Sequence, residues 1–493
     1  MKRARMKKMI LMINIKKMMI NKMRFRISLI FFLLHIFYIN AQKQYTLQEC
    51  VNIAIEKNIS IKQSLIDLEN ASIEKSNALG NFLPQISAQS QHIWNYGLSQ
   101  NITTGLIENL TTQFTSVGLN IGVDVYNGRR NLNQIYRANL NLLANEFKLQ
   151  DMKDDIGLFV ANSYLQVMFN KELLQVQKLQ IELTREQIER TKKQILAGVL
   201  VASDILESEA NLASQEQALI QAENNFRLSK INLAQSLLIT DYENFDIAEE
   251  NLDVPISLIL EQKPKAIYEK ALTFRSDVQL GITNIEIAET DINLAKSSLK
   301  PSLSAFVGYS GRITYSDRLS PNGNFDEFPV GYVKNTGEIV TTSVPQRSIV
   351  SPLSFVEQLY KNDGLAYGLS MNIPIFNGFS LKNNVKRSRL NLERVRNQLE
   401  QTKLDLENTI NQAYNNAKGA YKLYEAAQKT VISRKESYQY AEKRFELGAL
   451  NSFDFIQAKQ RYEVSVSDLI RAKFDYIFKI KVLEFYFGID VKI

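Results

Sequence analysis

The chain repeats itself once, and each copy carries a hydrophobic seam too long for a compact domain. Leu83-Pro84-Gln85-Ile86-Ser87 matches Lys300-Pro301-Ser302-Leu303-Ser304 at an offset of 217, and Ala54 and Ala71 match Ala271 and Ala288 at the same offset. The offset then becomes 250 and holds: Gly118-Leu119 with Gly368-Leu369, Asn127-Gly128 with Asn377-Gly378, Tyr164 with Tyr414, Gly198 with Gly448, Asp204 with Asp454, Ile239 with Ile489. The additional 33 residues therefore lie between Pro301 and Gly368.

Each seam is a heptad. Ile135, Leu142, Leu149 and Ile156 keep a seven-residue spacing, and after one four-residue step Val160, Val167, Leu174, Ile181, Ile188 and Ile195 continue it. Beyond Gly198 the seam resumes through Ile205, Leu212, Leu219, Phe226 and Leu233. The second copy runs through Val385, Leu392, Leu399, Leu406, Ile410, Tyr424, Val431, Tyr438 and Phe445, then Phe455, Tyr462, Leu469, Tyr476 and Leu483. Two antiparallel helical hairpins follow. Each ascending helix of about 70 residues would reach roughly 100 Å, and its polar residues in every turn rule out a membrane span of ~30 Å.

Four stretches alternate with period two instead. Ile86, Ala88, Trp94, Tyr96 and Leu98 oppose Gln85, Ser87, Gln89, Gln91 and Asn95; Val117, Leu119, Ile121, Val123 and Val125 oppose Ser116, Gly118, Asn120, Gly122 and Asp124. Leu303, Ala305, Val307, Tyr309, Ile313 and Tyr315 oppose Ser302, Ser304, Gly308, Ser310, Arg312 and Thr314, and Leu365 to Ile375 alternate against Ala366, Gly368, Ser370 and Asn372. Long strands with one apolar and one small polar face fit a transmembrane barrel with a wet interior, where Trp94, Tyr96 and Tyr315 suit the interface. Four strands cannot close a barrel, and an open edge in hydrocarbon leaves backbone groups unpaired, so copies of the chain must share one. Two, three or four copies would each satisfy this.

The resulting domain reading has a first repeat over 42–240, with strands at about 85–98 and 114–126 and a hairpin tip near 198. An acidic linker with Pro255, ending at Pro264, occupies 241–263, and a second repeat fills 264–493, with strands at about 302–316 and 364–376 and a tip near 448. Residues 1–41 read as an export signal: Arg24 and Arg26 precede an apolar run from Ile27 to Ile39, with Ala41 as the small residue before cleavage. A start near Met18, Met19 or Met23 would give that signal an ordinary length.

Charge and composition exclude several functions. Ten of the 59 Lys and Arg residues fall in 1–41, where there is no Asp or Glu, so 49 basic face 52 acidic residues beyond it. The net +7 gives no support to nucleic-acid binding once the signal is set aside. One cysteine, Cys50, permits no intrachain disulfide and follows Glu49, which does not suit lipidation. Beyond His35 in the signal only His92 remains, too little for a His-based zinc site or a His dyad. Neither a phosphate-cradling glycine loop nor a nucleophile elbow is present. The expectation is a protein that is not an enzyme and needs no cofactor.

The duplicated strand and helix order, Pro84 and Pro301 at helix-to-strand junctions, the Asn-Gly pairs before the long helices, and the tips Ala197-Gly198-Val199-Leu200 and Leu447-Gly448-Ala449-Leu450 together resemble the TolC-like outer-membrane efflux proteins. The likeness covers nearly all of residues 45–489. It implies a mixed fold, α plus transmembrane β: four strands per chain in a trimeric twelve-stranded β-barrel, continued by a periplasmic coiled-coil tunnel. The implied partners are outer-membrane lipid, a periplasmic adaptor and an inner-membrane pump of the RND, ABC or MFS class.

The same resemblance places the tunnel entrance at Asp454, with Asp204 matching on the first tip and Glu207 three residues on. The family's second aspartate falls on Gln457, and the Tyr and Arg of its entrance latch fall on Phe445 and Leu450. Any latch here must therefore use other contacts. Asp204 with Glu207 and Asp454 with Gln457 also read as D-x-x-[EQ] capping boxes. Gly198, Val199, Leu200, Gly448, Ala449 and Leu450 form the expected adaptor-docking tips, with both glycines left-handed. Two other readings compete: an exported coiled-coil fibre or adhesin, which leaves the four strands unexplained, and a periplasmic adaptor, which needs only one hairpin.

Overall fold

The computed structural model describes residues 44–101, 105–248, 254 and 258–489. The expected signal over 1–41 lies outside them, as do 249–253 and 255–257 of the linker. The first copy contains β1 (Gln44–Tyr45), α1 (Leu47–Lys57), α2 (Ile59–Gly80), β2 (Gln85–Gln100), β3 (Ile107–Tyr126), α3 (Arg130–Leu196) and α4 (Ser203–Ser236), and β4 (Asp246–Ile247) follows in the linker. The second contains α5 (Pro264–Phe274), α6 (Ser276–Ser297), β5 (Ser302–Thr314), β6 (Arg318–Tyr332), β7 (Ile339–Val350), α7 (Phe355–Lys361), β8 (Asp363–Asn372), α8 (Ser380–Glu446) and α9 (Ser452–Tyr486). The duplication is exact in its longest elements, since α3 and α8 each have 67 residues. Among the described residues no helix is long and apolar enough to cross a membrane.

The described residues form two compact units, one from 44–61, 153–268 and 409–489, the other from 62–152 and 269–408. In the first, helices pack along the heptad seams: Val160, Val167, Leu174, Ile181 and Ile188 of α3 are buried, as are Ile410 and Phe445 of α8 and Phe455, Tyr476 and Leu483 of α9. At one end of this unit Thr46 and Glu49 close a capping box that starts α1. Leu47, Cys50 and Ala54, spaced to share one helix face, then meet Val160 and Tyr164 of α3, Leu233 of α4, and Phe245 and Ile247. Two tyrosines at the repeat offset do the same work. Tyr164 Oη donates to the carbonyls of Tyr45 (3.4 Å) and Ala248 (3.3 Å), and Tyr414 Oη donates to that of Leu260 (3.0 Å) in a short 3-10 turn, so each long helix pins a segment from outside the hairpins.

The second unit holds a four-stranded antiparallel sheet in the order β2-β3-β5-β8. Its register aligns rows of like polarity. Ile86, Ile121, Val307 and Tyr367 form one row, Ala88, Leu119, Tyr309 and Leu365 the next, while Ser87, Asn120, Gly308 and Ala366 lie on the opposite face. On the apolar face Ile86, Tyr367 and Leu369 are more than 65% exposed, so within one chain these rows are uncovered, whereas Ile313 near the other end of β5 is buried. Phe306 interrupts the small polar face, its ring lying 3.3 Å from where a Cβ on Gly368 would stand. At the foot of the sheet Gly128 is obligatory: a Cβ there would meet the Ser297 carbonyl at 2.6 Å.

The strands depart from the periodicity in three places. β3 starts at Ile107, not near 114, because Trp94–Gln100 offers it a partner even where Asn109, Thr111 and Gln113 break its apolar alternation. β8 ends at Asn372, short of 376, because Pro374 has no N–H for the ladder. The 33-residue insertion has structure of its own: β6 and β7 pair as a hairpin, and α7 follows with Ser354 capping it through the Glu357 N–H.

Candidate entrance site at the hairpin tips

Both long helices end in the same way. Gly198 (φ 75°) and Gly448 (φ 69°) take the left-handed conformation that Cβ-bearing residues adopt only at a cost. The Val199 N–H bonds the Gln194 carbonyl (2.9 Å) and the Gly198 N–H that of Ile195 (3.0 Å), the paired bonds of a Schellman motif. Ala449 to Arg444 (2.8 Å) and Gly448 to Phe445 (3.0 Å) repeat them. The tips touch: Val199 Cγ1 lies 3.8 Å from the Cβ position of Gly448, and Leu200 packs with Leu450 onto buried Phe445, Phe455 and Ile456. Val199 and Ala449 stay exposed.

The expected aspartate caps are out of frame, by three residues at Asp454 and by two at Asp204. Asn451 caps α9, its Oδ1 accepting the Asp454 N–H (2.8 Å), and Asp454 Oδ2 in turn accepts from Asn451 Nδ2 (3.0 Å). At α4 the cap residue is Ala202 without a side-chain bond, and Asp204 Oδ2 accepts the Val201 N–H (3.3 Å). Both aspartates thus stand inside the first turn, where the helix dipole favours negative charge. Asp454, Gln457 and Glu207 are exposed and Asp204 half-buried, and Ser452 Oγ donates to the Asp204 carbonyl (3.2 Å), bringing the starts of α4 and α9 together.

Phe445, at the family's latch tyrosine, is a core residue stacked on Phe455 at 4.7 Å, and Leu450 packs beside it. The links between hairpins lie higher and escaped the sequence reading. Lys459 Nζ donates to Thr184 Oγ1 (2.6 Å), Gln215 Nε2 donates to both Glu463 oxygens (3.2 and 3.0 Å), and Gln460 Nε2 donates to Asn211 Oδ1 (2.9 Å). Lys459 and Glu463 also pair at 3.8 Å, with side chains only 6% and 12% exposed. Burial holds the Lys459 ammonium below its ordinary range and pushes the Glu463 carboxyl up. Tyr438, half-buried over the same seam, is raised by its partial burial and by Glu442 beside it. The available signal was a lysine at position 459, four residues after Phe455, on the seam itself.

The chain matches the family model described as outer membrane efflux protein over residues 50–237 and 267–477. It is 20% identical to outer membrane protein TolC of Vibrio cholerae over 324 residues, 66% of this chain and 65% of that protein, so it spans just under two thirds of that relative. Among solved structures its fold is similar to CusC (TM-score 0.70, 16% identity, 90% of this chain and 92% of that one). It is likewise similar to the Campylobacter jejuni CmeC outer membrane channel (TM-score 0.67, 16% identity, 90% and 85% of the two chains). With its duplicated strands and its paired helical hairpins, the chain belongs to the outer membrane efflux protein family.

Proposed function

We propose that three copies of this chain form one twelve-stranded barrel in the outer membrane and a twelve-helix periplasmic tunnel, a passive duct for cargo delivered by an inner-membrane pump through a periplasmic adaptor. The observation that carries this reading is the β2-β3-β5-β8 sheet, with uncovered apolar rows on one face and β2 and β8 at its edges. In hydrocarbon those edges must pair with further copies, because each unmatched N–H or C=O costs several kcal/mol. In this reading Asp454 and Asp204, with Glu207 and Gln457 beside them, line the entrance, and the tips at Gly198 to Leu200 and Gly448 to Leu450 receive the adaptor. Residues 1–41 serve as the export signal and 241–263 join the two repeats. Outer-membrane fractions extracted in detergent should yield a heat-modifiable trimer that conducts ions in planar bilayers. A monomer without conductance overturns the reading and favours a fibre or an adaptor.

A further inference from the structure

We propose that α7 is an interfacial anchor, lying on the outside of the barrel with Phe355, Val356 and Tyr360 in the headgroup and acyl boundary of the outer leaflet. The inference rests on the barrel reading above. Seven residues do not hold a helix in water by themselves, so the sheet must fix it. It does so on one particular face. Leu359 Cδ1 sits 3.3 Å from the Cβ position of Gly311, and Tyr309 Oη donates to the Leu359 carbonyl (3.4 Å). Gln358, 3% exposed, clamps the end of β5: its Oε1 accepts the Thr314 N–H (2.9 Å) and its Nε2 donates to the Thr314 carbonyl (2.9 Å).

Gly311 and Tyr309 share the apolar face with Val307, so α7 lies on the side that meets lipid and not on the small polar side. Its height is equally defined. Gly311 pairs with Val117, the last apolar residue of a run that climbs β3 through Val125, Val123, Ile121 and Leu119; above it come Thr115, Gln113 and Thr111. One row up, His92 Nδ1 shares a hydrogen bond with Thr115 Oγ1 (2.8 Å), and Thr115 Oγ1 shares another with Tyr315 Oη (3.0 Å). Aromatic rings with polar tips at the end of an apolar band mark a membrane interface. At that level α7 presents Phe355, Val356 and Tyr360, which are 50%, 61% and 74% exposed, while Glu357 and Lys361 pair at 2.7 Å on its polar side. Apolar groups continuous with the lipid-facing rows, on a short amphipathic helix at their upper boundary, take lipid as their partner.

The test places a bimane label at Tyr360→Cys or Leu369→Cys in the full-length trimer, reconstituted in vesicles holding lipids spin-labelled at acyl carbon 5 or 12. Cys50 is fully buried and out of the label's reach. Label at position 360 should be quenched more strongly by the shallow spin than by the deep one and should be protected from aqueous iodide. Quenching by iodide alone, or by neither agent as under a neighbouring subunit, overturns the anchor. Leu369, 68% exposed on the middle of β8, separates the two levels of inference. If lipid spins quench position 369 but not 360, the anchor fails alone; if they miss 369 as well, the barrel reading fails and the anchor with it.

Discussion

Lys459 of α9 reaches across to α3 and donates to Thr184 Oγ1 at 2.6 Å, joining the two helical hairpins through a buried ammonium group. The bond belongs to a polar seam in which Glu463 receives Gln215 from α4, so the two hairpins are tied at points where an apolar heptad would otherwise slide freely. Side chains this specific in direction fix the register of packed helices, a role attested for buried polar groups elsewhere.

Breaking that seam from one side should cost more than removing it. Lys459→Met leaves the Glu463 carboxylate buried without its cation and should cost about 3 kcal/mol, the usual scale for half of a buried pair. Lys459→Met with Glu463→Met should recover most of the loss. Thermal unfolding followed by helical circular dichroism in detergent checks both, and equal loss in the two variants would show that the cost is one of packing.

The pH dependence has a definite sign. Burial raises the Glu463 carboxyl above its ordinary value of 4.5, so the native state binds a proton before the unfolded chain does. Its contribution is fully present below 4.5 and is lost as pH rises through the raised native value. Relative to Glu463→Gln, the wild type should therefore gain stability as pH falls through that window. A difference in melting temperature that stays constant between neutral and acid pH would contradict it.

If exposed Asp454 lines the entrance as proposed, three copies would concentrate negative charge where cargo enters. Asp454→Asn should keep the Asn451 cap, whose bond uses the backbone of residue 454, and should weaken block by multivalent cations in single-channel recordings. Unchanged block would leave Asp454 with a role in the helix start alone.

Gly448→Trp places a side chain where φ is 69° and Val199 stands 3.8 Å away. The left-handed conformation costs of order 1–2 kcal/mol, small against the burial along two long seams, so the trimer should still assemble. If the tip receives the adaptor as proposed, transport in cells lacking the native protein should nevertheless be abolished, because the bulky ring would block approach of an adaptor helix. Normal export would refute docking at this tip, and loss of the trimer would make the tip structural.

The β6–β7 hairpin should tolerate insertion. Asn322-Gly323 lies at a register shift in its ladder, with Gly323 at φ 87° and space around it. An epitope tag there should be reached by antibody on intact cells without loss of the trimer. Labelling only after lysis would place the hairpin on the periplasmic side.

Periodicity made the long elements legible in the chain itself. A seven-residue repeat such as Val160, Val167 and Leu174 permits burial of one stripe only as a packed helix, and a period of two from Ile86 or Leu365 permits only a strand. Gly198 and Gly448 were readable for the same local reason, since few residues end a helix in a left-handed turn. The cap frame was less legible because Asn451 and Asp454 are both good N-terminal residues, and only the backbone path selects Asn451. The remaining features depend on partners distant in sequence. Ile107–Gln113 is a strand because Trp94–Gln100 lies beside it, α7 is a helix because Gly311 leaves room for Leu359, and Lys459 is buried because Thr184 faces it, 275 residues away. Local spacing dictates which surface of an element is apolar, whereas the identity of the group opposite a given side chain is a property of the packed chain, and only the tertiary structure decides it.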